Sequence, residues 1–584
     1  MKRFLLLVIL ISACKSPTYE EKGSFTTLFE TSGGTQTPTY EEVIDFYIEL
    51  AREFPEINIQ TMGETDSGYP LHIVSFNDDG EFNFSKIRER KAVMLINNGI
   101  HPGESDGIDA TMMLFRDLAT GQIEIPKRTV LVAIPLYNIG GSLNRNSTSR
   151  TNQNGPEEYG FRGNSRNYDL NRDFIKADTK NARAFAEIFH LVQPDVFIDN
   201  HVSNGADYQY TLTHLFTQHN KLGGELGNYL HTVVMPSLEQ SLEEKEWDVT
   251  PYVNVFNRTP ESGFSQFMDY PRYSTGYTTL WNTLGMMVET HMLKPYKQRV
   301  EGTYELMRSM IDITEKERDT IKMLREKAFE AYRQKDMYTL DWAIDTTKAS
   351  TLNFKGYEGE QIVSEVTGAN RLKYNRERPF TKEVTYRNYF SPRSEVSIPE
   401  AYIIPQGWWN VISRLRENKV EMREIGQDTV ITAESYRIES YGTRNSAYEG
   451  HYQHFNTKVS SSVADVKFRK GDFIVPTDQP ALRYIIETLE PAAPDSFFNW
   501  NYFDTVLQQK EGFSPYVFED IAKELLAKNE DLRTEFQSKL EEDEAFAGNW
   551  YAQLDWIHKH SDHYEKAHLR YPVFRFGGPD PGND

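Results

Sequence analysis

Short apolar runs alternate with longer amphipathic stretches over the first 335 residues. Thr39 and Glu42 frame a capping box, and Val43, Phe46, Tyr47 and Leu50 follow at helical spacing up to Pro55. Two strand-like runs, 57–63 and 69–76, flank the turn signal Asp66-Ser67-Gly68 and predict a hairpin. The runs 92–96 and 129–136 are apolar throughout, the pattern of strands buried on both faces. A helix is predicted between them over 108–118. Residues 142–168 carry Asn, Ser, Gly and Arg with little hydrophobic pattern, which predicts a long loop. A helix follows over 179–192, with Ala184, Phe185, Ile188, Phe189 and Leu191 as its apolar set. Val196-Phe197-Ile198 then predicts a short buried strand. Helices are predicted over 221–243 and 297–334, with a strand at Met286–Thr290 between them. Such alternation of strands and helices over 39–335 is the signature of an α/β fold.

Beyond about residue 345 the texture changes. Runs at 384–390, 429–440 and 471–476 predict strands, and 514–567 predicts helices ending before Pro572. A second, mixed β and helical domain is therefore expected over 345–584. No internal repeat is visible.

The length of 584 residues suits two large domains. A formal charge of −22 repels phosphate backbones, so no nucleic-acid partner is expected. At the N-terminus Lys2 and Arg3 precede the apolar stretch 4–11, then Ser12, Ala13 and Cys14. This is a secretory signal layout, and its end resembles a bacterial lipoprotein processing site. Cys14 is the only cysteine, so no disulfide partner exists for it. The expectation is a signal peptide over 1–13, a lipid-modified Cys14 and a tether over 14–38. The protein would then be anchored in the bacterial cell envelope, with Lys15 resembling the outer-membrane default. A general signal peptide with an incidental cysteine is the plainer alternative.

The chemistry gathers at strand ends. Asn97-Asn98-Gly99-Ile100-His101-Pro102-Gly103-Glu104 leaves the first central strand, and ligands in open α/β sheets bind outside the carboxyl ends of strands. His101 and Glu104 can turn toward one metal. His201, closing the next apolar strand after Asp199-Asn200, completes a His-His-Glu zinc site with one position open to water. Hydrolysis also needs a base and a cation for the developing oxyanion. Glu289, set after Met286-Met287-Val288, is the candidate base, because burial raises a carboxyl toward a useful range. Arg162 or a neighbouring arginine suits the carbonyl, and Arg172 suits a carboxylate held through a bidentate fork.

Together these residues resemble the zinc metallocarboxypeptidases of the carboxypeptidase A type. His101 and Glu104 match the family's first motif, Asp169-Leu170-Asn171-Arg172 its Asp-x-Asn-Arg motif, His201 its second zinc histidine and Glu289 its catalytic glutamate. The resemblance covers roughly residues 39–300 and implies an α/β/α sandwich with a mixed central sheet, a catalytic domain over 39–340 and one zinc ion per chain. It further implies that Asn171 and Arg172 bind the terminal carboxylate of a peptide or protein substrate, that Asp169 supports His101, and that Arg162 polarises the scissile carbonyl, with Arg145, Arg150 and Arg166 as rivals. The family's mobile tyrosine is Tyr277 or Tyr273; Tyr277 is carried forward as substrate-binding. Val202 departs from the serine that usually follows the second histidine.

Each motif has a plainer reading. His101 with Glu104 alone would be a surface coincidence, and Arg172 an ordinary ion-pair partner. His214, His219 and His231 read as surface or packed residues, Trp408-Trp409 as core, and His558, His560 and His563, clustered among Lys and Asp, as residues of a surface helix. The expected activity is zinc-dependent removal of C-terminal residues from peptides. Its rivals are a zinc amidase or deacylase acting on peptidoglycan peptides and a non-catalytic surface binding lipoprotein.

Overall fold

Parallel pairing buries the apolar runs on both faces and brings their carboxyl ends together. The structure, a computed structural model, describes residues 25–577. The signal-peptide and Cys14 expectations lie outside the described residues. The central sheet has eight strands: β1 (Ile57–Glu64), β2 (Pro70–Phe76), β3 (Ala92–Asn97), β4 (Thr129–Ile134), β5 (Val196–Ser203), β6 (Leu212–Phe216), β7 (Val249–Pro251) and, after the two-residue strand β8 (Phe264–Ser265), β9 (Leu284–His291). Their order is β1-β2-β4-β3-β5-β9-β6-β7. The central strands β4, β3, β5 and β9 run parallel, and antiparallel β2 and β6 flank them. This is the expected mixed α/β sheet. Every residue of β3, β4 and β5 is buried.

Local chemistry sets the surrounding helices. Thr39 caps Tyr40–Glu53 through the reciprocal box with Glu42. The helix Asp106–Thr120 starts directly behind the His101 loop. Its approach to β5 needs Gly107, since a Cβ there would lie 2.3 Å from the Asn200 Cβ. In the helix Lys180–Val192 the predicted apolar face holds except at Leu191, which is 41% exposed; Val192 takes the buried place. The predicted helix over 221–243 is broken. Gly223 and Gly224 both take positive φ and split His219–Leu222 from Gly224–Tyr229, and a π-turn precedes Met235–Glu244. A 38-residue helix, Tyr296–Arg333, backs the sheet.

The tether expected over 14–38 does not extend through its described part. Thr27 and Glu30 form a second capping box around Leu28–Thr31. Phe29 is buried against Tyr296, and Thr37 donates to Asp109 at 2.6 Å.

The second half is β-rich: β10 (Met337–Ile344), β11 (Ser350–Val363), β12 (Asn370–Arg387), β13 (Phe390–Ser397), β14 (Ala401–Ile404), β15 (Arg423–Glu424), β16 (Thr429–Thr443), β17 (His454–Phe468), β18 (Phe473–Pro476) and β19 (Arg570–Phe576). The predicted stretch 384–390 is divided between β12 and β13. Helices occupy 515–559, but Pro572 does not follow a helix; it lies inside β19, where the pairing with β16 shifts register, a place in a sheet that accepts proline.

The boundary expected near 340–345 does not separate two cores. One apolar core runs from Phe29 to Val573. β8 pairs in parallel with β12, and Arg483 donates to the Lys221 carbonyl and to Asn282 Oδ1 at 2.8 and 3.0 Å. No helix among the described residues is long and apolar enough to cross a membrane.

Candidate metal centre and cleft

The His101 loop turns sharply at Gly99, where φ is +64°. A backbone bond from the Glu104 N–H to the His101 carbonyl, 2.7 Å, then sets both side chains on one side of the loop. β5 runs beside β3 and delivers His201 opposite them. The ligand atoms of His101, Glu104 and His201 all lie within 4.8 Å of one another, and all three residues are buried.

Each histidine turns Nδ1 inward and Nε2 outward. His101 Nδ1 lies 3.2 Å from Glu104 Oε1, and His201 Nδ1 lies 3.2 Å from Glu104 Oε2. Behind them, His101 Nε2 meets Asp169 Oδ1 and His201 Nε2 meets Asp199 Oδ2, each at 2.9 Å. A carboxylate on the outer nitrogen fixes the tautomer that leaves the inner nitrogen free for a metal. His101 Nδ1 is a buried nitrogen with no hydrogen-bond partner. Two imidazoles and a carboxylate converging on that point are a zinc donor set, so the residues fit the ion that the sequence implies.

The charges are arranged accordingly. Burial alone would raise the Glu104 carboxyl, but the charges of His101 and Arg150, the close approach of His101 and the hydrogen bond with His201 hold it well below the usual range. Burial likewise opposes ionisation of Asp169, and His101, Arg162 and Arg172 outweigh it. His201 is shifted upward: burial acts against its charge, but Asp199 and Glu104 prevail.

Glu289 stands next to His201 in register across β5 and β9, and it is the only residue of β9 not fully buried. Burial pushes its carboxyl up to about 7; His201 opposes the rise, and Glu104 and Asp199 add to it.

Asp169-Leu170-Asn171-Arg172 ends the long loop as a single 3₁₀ turn. Asp169 caps it through the Asn171 N–H at 2.9 Å. Asn171 Oδ1 accepts the Ser274 N–H at 3.2 Å, and the Arg172 guanidinium lies 4.6 Å over the Tyr273 ring. Arg162 reaches Asp169 Oδ2 at 2.9 Å and Glu104 Oε1 at 3.6 Å. A cleft of about 360 Å³ brings together His101, Glu104, Arg162, Asn171, Arg172, His201 and Glu289. The rival Arg150 pairs with Glu104 Oε1 at 3.0 Å, whereas Arg145 and Arg166 hold the Thr37 and Asp178 carbonyls.

Tyr277 is not in the cleft. It is 1% exposed, donates to Asn418 Oδ1 at 2.6 Å and packs among Phe174, Phe185 and Phe189. The short helix Ser274–Thr279 explains the difference: Tyr273 caps it at the cleft, and Tyr277 lies one turn in, facing the core. The spacing of Tyr277 with Leu280 and Trp281 carried that signal.

The sequence also gave no sign of Tyr252, Asn254, Phe256 and Phe267, loop residues that line the far wall. His214 pairs with Glu239 at 2.8 Å, and His219 stacks on His231. Trp408 packs on Phe503 as core, but Trp409 is 73% exposed. His558 is buried against Phe513 and Phe518 rather than on the surface, and His560 and His563 lie past the end of the helix Trp550–Lys559.

A family model described as zinc carboxypeptidase matches residues 43–194. Carboxypeptidase 2 of Trichophyton rubrum is 21% identical over 513 residues, covering 83% of this chain and 87% of that protein. Among solved structures, a metallo-carboxypeptidase from Burkholderia cenocepacia aligns at 17% identity with a TM-score of 0.38, over 48% of this chain and 70% of that one. Carboxypeptidase A from Helicoverpa armigera aligns at 14% identity with a TM-score of 0.36, over 48% and 74%. The family match takes in His101, Glu104 and the Asp169-Leu170-Asn171-Arg172 motif and ends before His201 and Glu289.

Proposed function

We propose that the protein is a zinc-dependent carboxypeptidase that hydrolyses the last peptide bond of substrates with a free C-terminus. One observation carries the reading: a three-residue metal donor set, a half-buried carboxyl shifted to about 7 and an Asn-Arg pair all face one cleft. His101, Glu104 and His201 would hold the ion, which supplies a Lewis acid and an acidified water. Glu289 accepts the proton of the attacking water and returns it to the leaving amine, a task suited to a carboxyl near neutral pKa. Arg162 faces the position of the developing oxyanion, and Arg172 and Asn171 bind the substrate's carboxylate.

The rest of the lining is mostly apolar or aromatic (Val202, Leu215, Tyr252, Phe256, Phe267, Tyr273 and Met287), with Ser203, Asn204 and Asn254 as its polar members. Such a lining favours an apolar or aromatic final residue over a charged one. The position of Lys2, Arg3 and the apolar run before Cys14 supports export and lipid attachment of the mature protein. Mass spectrometry of the intact cellular form tests that attachment directly.

The test of activity is incubation of zinc-loaded protein with paired peptides, identical except for a free or an amidated C-terminus. Chelator-sensitive release of single residues from the free-carboxylate member is expected. Equal cleavage of both members, or cleavage at internal bonds only, would remove the carboxylate clamp from the mechanism.

A further inference from the structure

The two histidines are supported by carboxylates of different origin. Asp199 shares a strand with His201. Asp169 ends a long loop, and its side chain is fully engaged: Oδ1 with His101 and the Asn171 N–H, Oδ2 with Arg162. Its backbone N–H is taken from outside the first half of the chain. Glu449 Oε2 accepts it at 2.8 Å, 280 residues away in sequence.

Glu449 sits at the tip of the connection between β16 and β17. Tyr448 and His451 exchange backbone hydrogen bonds at 2.7 and 3.1 Å, and between them Glu449 and Gly450 have φ of +49° and +79°. Two consecutive left-handed residues make a tight hairpin turn in which Asn, Asp or Gly is preferred at the first position. Any Cβ crowds the following carbonyl there, and Glu, unlike Asn or Asp, has no short polar group to offset that by bonding locally. Gly450 is required on a second ground: a Cβ would lie 2.5 Å from the Tyr168 hydroxyl oxygen, so the turn presses on the residue before Asp169. His451 pins the far flank to Asp178 Oδ2 at 2.7 Å, and Tyr448 stacks on Trp500. The turn is thus held in place on both sides, and the residue least suited to its own backbone is the one that reaches Asp169. An asparagine would suit the turn better but is one carbon shorter.

We infer that Glu449 is a positioning residue of the metal centre: it anchors the Asp169 backbone so that the Asp169 carboxylate holds His101 and Arg162 in place. The inference rests on reading His101, Glu104 and His201 as a zinc site. It makes the β16–β17 turn, and with it the second half of the chain, a working part of the active site. Burial and the charge of Asp169 raise the Glu449 carboxyl, so the contact is made against an electrostatic cost.

The test uses the full chain with Glu449→Ala, Glu449→Gln and Glu449→Asn, reading zinc affinity by chelator competition, kcat, KM and Tm. Removing a group that bonds a metal ligand directly typically weakens binding or activity by about 10–100-fold, and Glu449 stands one bond further out, so a loss of up to about tenfold is the scale here. Glu449→Ala is expected to show that loss in zinc affinity and in kcat with KM little changed. Glu449→Gln keeps an acceptor oxygen and should stay near wild type. Glu449→Asn should match or exceed the wild-type Tm while losing zinc affinity as Glu449→Ala does. Wild-type affinity and kcat in both the Ala and Asn variants would overturn the inference, as would losses in all three variants that simply follow Tm. Wild-type protein that takes up no zinc would instead overturn the zinc-site reading on which the inference stands.

Discussion

One wall of the cleft is made by a sheet and the other by loops. On the sheet side, Asp199, His201 and Glu289 lie on two adjacent parallel strands, and backbone pairing places His201 directly beside Glu289. Asp199 is fully buried and is also held by Asn97 Nδ2 at 3.0 Å and by Ser274. On the loop side, Asp169, Arg162 and Arg172 belong to an irregular stretch of some thirty residues, and their positions depend on one another and on Glu449. The sheet side is rigid because its distances are those of a hydrogen-bonded ladder. The loop side is built from ion pairs and side-chain contacts, which can be removed one at a time. Under the proposed function, the ligand His201 and the base Glu289 sit on the first wall, and Arg162, Asn171 and Arg172 on the second.

The largest effect should come from the rigid wall. Glu289→Gln keeps size and fold but removes the proton acceptor, so kcat should fall by about 10²–10⁴-fold, the usual worth of general acid–base catalysis. Zinc content should be unchanged, because Glu289 is not among the ligands. Retained turnover in zinc-loaded Glu289→Gln would dismiss the assignment. Next in size are the two supporting carboxylates. Asp199→Asn and Asp169→Asn should each weaken zinc binding by about 10–100-fold. They should differ in stability. Asp199→Asn disturbs three buried hydrogen bonds at the sheet centre and should lower Tm clearly. Asp169→Asn should spare Tm but lower kcat further by freeing Arg162. Equal Tm losses in the two variants would erase the distinction between the walls.

A smaller, pH-dependent effect separates the walls again. In the metal-free protein Asp199 and Glu104 hold the His201 proton above the usual histidine range. That proton must leave before Nδ1 can bind a cation, so zinc affinity should rise with pH. One released proton gives about tenfold per pH unit. The rise should continue above pH 6.5 rather than level off there. The same raised pKa favours the metal-free fold at low pH, a contribution lost as pH rises through the folded-state value. Chelator competition from pH 6 to 9 measures the slope; Asp199→Asn should flatten its upper part.

Much of the sheet wall was legible in the sequence because each motif follows its own apolar strand. His101 follows Ala92–Asn97, His201 ends Val196-Phe197-Ile198, and Glu289 follows Met286-Met287-Val288; strand order alone then brings them together. The loop wall was legible only where a motif was dense, as in Asp169-Leu170-Asn171-Arg172. Glu449 carries no local mark beyond standing before a glycine, since its partner is 280 residues away. The packed segment 25–38 had a signal that its Ser, Thr and Gly content obscured: Thr27 and Glu30 repeat the spacing of Thr39 and Glu42. The shared core of the two halves had none, because burial between distant segments leaves no period in either.

The smallest effect concerns the two tyrosines. A tyrosine that lines the cleft and a core tyrosine that touches Asn418 differ by one helical turn, and the sequence reading carried the core one forward. Tyr277→Phe removes a buried hydroxyl whose loss leaves Asn418 Oδ1 without its donor, a cost of about 1–3 kcal/mol in stability. It should leave kcat and KM as they are. Tyr273→Phe should do the reverse, sparing Tm and altering KM, because Tyr273 lines the cleft with its ring under the Arg172 guanidinium. A change of kcat/KM in Tyr277→Phe without loss of Tm would mean that Tyr277 leaves the core during turnover. That exit would have to break the contacts with Phe174, Phe185, Phe189 and Tyr484 that join the sheet to the second half of the chain. A side chain held on four sides by aromatic rings is a poor candidate for a mobile one, whereas Tyr273 needs only to leave the Arg172 guanidinium and the Phe267 ring, both in the cleft.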